Sequence, residues 1–283
     1  MGITNFAAFV ELIQADAVVK VKKGGSRKPG DNPFARAGVS GQAVVMDGMT
    51  HIFSLTASLG WKNKQPEKYQ VTGTDMVQAF FRKLADYFNA YYNSAPTPEW
   101  GSEGRPPPAL VLILDKPLYV NPGKAACQKK RAAQNKQPGY GPRVRFFPEG
   151  VRPEPSSVMQ SIDINTALAT RGAGRVTLYR FLIDSLIAQP QPFKWPPTTQ
   201  LFIDAEGGVR VFLATEQGDL YEWKAPASDD SKTAPCPTPV VDPLRALNRL
   251  GEADLAALRW VLLLKRPVRL ITTDTDWAML HVF

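Results

Sequence analysis

Apolar and polar positions along this chain fall into blocks whose period changes several times. Phe6, Phe9, Val10 and Ile13 recur at helical spacing, and Thr4 or Asn5 can cap the helix they predict over 4–14. Ala43-Val44-Val45-Met46 is a continuous apolar run that stops at Asp47, which suits a buried strand, and a helix is expected over about 49–59. Val77, Phe80, Phe81, Leu84, Tyr87, Phe88 and Tyr91 form the clearest stripe and predict a core-facing helix over 74–93, capped by Thr74. Ala109 to Leu114 is a second continuous apolar run, and it stops at Asp115. Leu178, Phe181, Leu182 and Leu186 predict a helix over 176–188. Residues 201–213 read as a hairpin turning at Glu206-Gly207-Gly208, with a further strand over 219–223. A helical turn or two is expected over 244–250. The spacing predicts a helix over 252–264 with Leu255, Leu258, Val261 and Leu262 inward, then a third buried strand over 268–273.

Strands that are apolar on both faces belong in a covered, largely parallel sheet. With helices between them they make βαβ units, so the fold class is α/β. In such sheets the carboxyl ends of the strands line the site. Asp47, Asp115 and the pair Asp274 and Asp276 all follow strand ends, while Glu252 and Asp254 open a helix. Each has a plain structural role open to it, as a helix cap, a turn former or a partner of the helix dipole. Six together in these places point to chemistry. Carboxylates are hard oxygen ligands for Mg2+ or Mn2+, and two such ions can activate water and stabilise a leaving oxygen in phosphodiester cleavage.

Composition narrows the partner. The chain has 283 residues and a net charge of +8, which favours a polyanion. From Lys116 to Pro148 there is no acidic residue, while Lys116, Lys124, Lys129, Lys130, Arg131, Lys136, Arg143 and Arg145 all occur. Residues 123–135 read as a basic helix suited to tracking phosphates, and Lys22 and Lys23 lie in a basic, glycine-rich loop. Two isolated cysteines, Cys127 and Cys236, make neither a disulfide framework nor a zinc site, so an intracellular, reducing compartment is expected. No apolar run is long enough to span a membrane, and no signal peptide is read at the start. Residues 224–240 read as a linker.

The order of these motifs resembles the flap endonuclease family, structure-specific nucleases with a PIN-like core. Met1-Gly2-Ile3 looks like that family's start. Val44-Val45-Met46-Asp47-Gly48-Met49-Thr50 is similar to its first catalytic strand, and Leu112-Ile113-Leu114-Asp115-Lys116-Pro117 to its second, with Lys116 where the family has glycine. Gly251-Glu252-Ala253-Asp254 resembles the Glu-Ala-Glu-Ala helix, and Asp274-Thr275-Asp276 the later Asp pair. The likeness covers about 1–20, 42–135 and 241–283.

The resemblance implies a PIN-like, three-layer α/β fold in one domain, with an arch-like basic segment at 116–145. Residues 136–240 stand as a Pro/Gly-rich insertion carrying a β-hairpin. It implies that Asp47, Asp115, Glu252 and Asp254 hold one metal ion and that Asp274 and Asp276 help hold a second. Gly2, Lys22, Lys23, Lys116, Lys124, Lys129, Lys130 and Arg131 would contact nucleic acid, DNA before RNA, in replication or repair, in a nuclear or virus-associated setting. The family's further ligand Asp and its duplex-gripping module come after this point, and a partner chain or larger assembly is their expected source. Two functions fit: a two-metal, structure-specific nuclease, or a catalytically silent nuclease-like fold that binds nucleic acid or builds an assembly.

Overall fold

The computed structural model describes residues 43–48, 51–52, 55, 70–92, 107–116, 126, 130, 143–148, 151–163, 173–191, 193–224, 253–264 and 268–272. The helices expected at 4–14 and 244–250, the loop with Lys22 and Lys23, and the linker 224–240 beyond Lys224 lie outside them. So do Gly2, Lys124, Lys129, Arg131, Glu252, Asp274, Asp276 and both cysteines.

The two continuous apolar runs form adjacent parallel strands, β1 (Ala43–Asp47) and β2 (Ala109–Ile113), with Asp47 level with Ile113. The run after the last helix forms β8 (Val268–Ile271), parallel to β1 on its other side. The expected hairpin comprises β5 (Gln200–Ala205) and β6 (Gly208–Ala214), and β7 (Leu220–Trp223) extends it. The six-stranded sheet runs β7-β6-β5-β2-β1-β8, parallel from β5 to β8 and antiparallel at the β6 and β7 edge. A separate antiparallel pair joins β3 (Arg143–Phe146) to β4 (Gln160–Asp163).

β5 comes from the stretch over 136–240 that the resemblance leaves as an insertion. It lies parallel to β2, with Ile113 level with Asp204, so this region supplies a central strand of the sheet. The turn was legible: Glu206 and Gly207 connect the two strands, Gly207 takes the positive φ that a tight connection asks for, and Gly208, which opens β6 opposite Ala205, has positive φ as well.

Side chains alternate across the sheet. Val44, Met46, Leu110, Leu112, Leu201 and Ile203 face α1 (Gly73–Tyr92) and α2 (Ala173–Ala188), meeting Val77, Phe80, Leu178 and Leu182. Ala43, Val45, Val111, Ile113 and Phe202 face α3 (Ala253–Leu264). Burying each large apolar side chain contributes about 1.5–3 kcal/mol.

α1 matches its expected span, but its cap differs. Thr72 is the capping residue: the main-chain N–H of Thr72 donates to Asp75, and that of Asp75 to the Thr72 hydroxyl, a reciprocal box. Thr74 instead donates its hydroxyl to the Pro155 carbonyl. α3 is also rotated from expectation. Its inward face is Ala253, Ala256, Ala257 and Trp260, while Leu262 is 67% exposed and Leu255 45% exposed. Small residues let the helix approach the sheet closely, and one indole then fills the space the alanines leave. No helix among the described residues is long and apolar enough to cross a membrane.

Candidate functional site at the strand ends

The parallel strands occur in space as β5-β2-β1-β8, so successive connections move one way from β1 through β5 and the other way to β8. The reversal lies between β1 and β8. Ligands of open α/β sheets bind beyond the carboxyl ends of the strands at such a reversal. Asp47 is the last residue of β1 and is nearly buried. Thr272 follows β8 directly, and its hydroxyl donates to Asp47 Oδ2 at 3.5 Å, across the reversal. Asp115 lies two residues beyond β2 and is half-buried.

Glycine at 48 shapes this edge. A Cβ there would meet Leu114 Cδ2 at 2.5 Å and the Ile113 carbonyl oxygen at 2.7 Å. Only glycine lets the chain leaving Asp47 pass this close over the end of β2. The helix that follows holds His51 in the core against Phe80, with ring centroids 6.1 Å apart. Burial, aided by the Lys83 ammonium, pushes the His51 imidazole down to about 4. It is therefore neutral at ordinary pH.

Two residues of α2 complete the cluster. Arg175 and Tyr179, one turn apart, are both buried, and the Arg175 guanidinium donates to the Tyr179 phenol. Burial is the largest influence on that phenol and pushes its pKa far up. Arg175 pulls the other way, while the charges of Asp115 and Asp47 add to the rise. The phenol thus keeps its proton within electrostatic reach of both carboxylates. Asp184 further along α2 and Glu222 of β7 both engage Arg210 of β6, tying α2 to the antiparallel edge.

α3 reaches the same edge from the other face. Only residues 265–267 separate it from β8, so its last turn lies where β8 begins. Its 12 residues, at about 1.5 Å each, carry its first turn back to the carboxyl ends. The backbone of Asp254 lies in that turn.

Lys116 corrects an expectation. Next to Asp115, it was assigned to phosphate contact, yet its side chain is 1% exposed and its Nζ lies 2.5 Å from Asp204 Oδ1. Asp204 Oδ2 also accepts from Trp260 Nε1 at 3.0 Å, and Trp260 leans on Phe202. An ammonium already paired with a buried carboxylate is committed to that partner rather than to a phosphate. Burial pushes the Asp204 carboxyl up, against the opposing pull of Lys116 and the Trp260 N–H. Lys130, by contrast, is helical and exposed.

Of the six carboxylates read from the sequence, the described residues bring together Asp47 and Asp115. They contain no cluster of three or more metal-ligating side chains. The donors present, carboxylates with a neighbouring hydroxyl, are hard oxygens that suit Mg2+ or Mn2+. Arg175, Tyr179, Asp204 and Thr272 were missed by sequence reasoning. Arg175 lies in register with Leu178, Tyr179, Leu182 and Leu186, and a cation inside an apolar stripe was the available signal. Asp204 ends an apolar run just as Asp47 and Asp115 do. Thr272 had only its place before Asp274. No family model, no curated protein and no solved structure matches the chain.

Proposed function

We propose that this protein is a metal-dependent, structure-specific nuclease with a PIN-like core, acting on branched or single-stranded-ended DNA or RNA. The observation that carries the reading is that Asp47 ends one parallel strand and Asp115 follows the end of its neighbour, beside the reversal of strand order. Asp47 and Asp115 would hold Mg2+ or Mn2+, with Glu252, Asp254, Asp274 and Asp276 as the remaining carboxylates of a two-ion set. When bound, such ions supply an activated water and charge neutralisation at the phosphorus. Thr272 orients Asp47 through its hydroxyl. Tyr179, a buried and protonated phenol within electrostatic reach of both acids, holds the Arg175 guanidinium beside them. The net charge of +8 and the basic stretch after Asp115 support a nucleic-acid partner.

The test is cleavage of a 5′-flap DNA, and of the matching RNA, with Mg2+ or Mn2+ and with chelator. The expected result is metal-dependent cleavage that Asp47→Asn and Asp115→Asn each reduce by about 10²-fold or more. Cleavage that persists unchanged in both variants, or none in the native chain, overturns the reading.

A further inference from the structure

Arg175 lies in the first turn of α2 and is 6% exposed. A guanidinium carries five N–H donors, and burying one without acceptors is costly. Tyr179 accepts from it, yet Nε has no hydrogen-bond partner among the described residues. The first-turn main-chain N–H groups of a helix also lack intrahelical acceptors, and the helix dipole favours an anion there. A buried, fork-shaped cation with an unmet donor therefore lies where the helix itself calls for negative charge. Its neighbour Tyr179 is within electrostatic reach of Asp47 and Asp115, so this position adjoins the strand-end acids.

We infer that Arg175, held by Tyr179, docks a phosphate group of the nucleic-acid strand that enters the strand-end site. The polymer's identity rests on the nuclease reading proposed above. Phosphate fits because two of its oxygens can take two parallel N–H bonds from a guanidinium. It can then share its remaining charge with a cation on the two carboxylates. Tyr179 is a positioning residue: its phenol oxygen holds the guanidinium, whose Nε keeps an unmet donor.

The test uses the full chain in chelator. A 3′-labelled single-stranded oligonucleotide with a 5′-phosphate, and one with a 5′-hydroxyl, are titrated by fluorescence anisotropy, with inorganic phosphate as competitor. Arg175→Gln is expected to weaken binding by roughly tenfold or more and to lower the salt dependence by about one phosphate contact. Equal loss on both oligonucleotides means an internal phosphodiester docks. Loss confined to the 5′-phosphorylated strand means the terminal phosphate docks. Arg175→Lys keeps the charge without the fork and should fall between. Tyr179→Phe keeps the ring and should cost a few fold.

Unchanged oligonucleotide affinity in folded Arg175→Gln overturns the inference. Where that variant does not fold, unchanged affinity in both Arg175→Lys and Tyr179→Phe overturns it. Tighter Mn2+ binding by Arg175→Gln with unaltered oligonucleotide affinity also overturns it, making Arg175 an internal counter-ion of the acids. Absent cleavage with intact Arg175-dependent binding refutes the nuclease reading alone.

Discussion

Lys116 and Asp204 extend from neighbouring strand ends to within 2.5 Å of each other, and solvent reaches neither side chain. Asp204 is held from a second side by Trp260, so one buried carboxylate joins β2, β5 and α3. Two charges removed from water are stable together and costly apart. Lys116→Met should destabilise the fold by about 3–5 kcal/mol by leaving Asp204 buried without its cation. The double variant Lys116→Met, Asp204→Leu should recover most of that loss. Chemical unfolding of the wild type, both singles and the double measures the coupling. Additive losses would mean the pair is not acting as a unit.

Acid should expose the buried imidazole. His51 has its folded-state pKa depressed from 6.5 to about 4, so the unfolded chain takes up the proton first. The stability this group contributes is fully present above pH 6.5 and is lost as pH falls from there through 4. The expected loss approaches about 3 kcal/mol at the acid end of that window. His51→Leu should flatten this part of the stability profile relative to wild type. Parallel profiles for the two proteins in urea unfolding between pH 7 and pH 4 would contradict it.

Glycine at 48 has a purely spatial requirement. A methyl group there would have to displace the Leu114 side chain and the Ile113 carbonyl. Gly48→Ala is expected to cost about 1–3 kcal/mol through overpacking. Because Asp47 is its neighbour, the same change should also weaken any metal binding at the strand ends. Thermal unfolding with and without Mn2+ reads both effects in one experiment.

Divalent metal should stabilise the native chain through the acids of the strand ends. A ligand at about 100 times its dissociation constant adds about 2.7 kcal/mol to a protein that binds it only when folded. The melting temperature should therefore rise with Mn2+ in the wild type and return on addition of chelator. Asp47→Asn and Asp115→Asn should each remove most of the rise. An equal rise in all three proteins would locate the metal elsewhere.

The sequence by itself determined most of the elements and their class, though not the β3–β4 pair. Ala43–Met46 and Ala109–Leu114 are apolar at every position, which suits a short strand covered on both faces. The stripe of α1 at 3.6-residue spacing and the double glycine of the β5–β6 turn are local signals, so both were legible without partners. The positions of Asp47 and Asp115 at strand ends followed from the same runs. Tertiary structure alone decided what those local patterns met. The apolar residues of α3 gave no sign that its alanines would turn inward, since a helix's buried side is chosen by the sheet it must approach. The fate of Lys116 depended on Asp204, 88 residues later in the chain, and no local rule pairs them. Whether a charge at a strand end meets solvent, a metal or an opposite charge depends on which strand lies beside it, and only the order β5-β2-β1-β8 sets that neighbour.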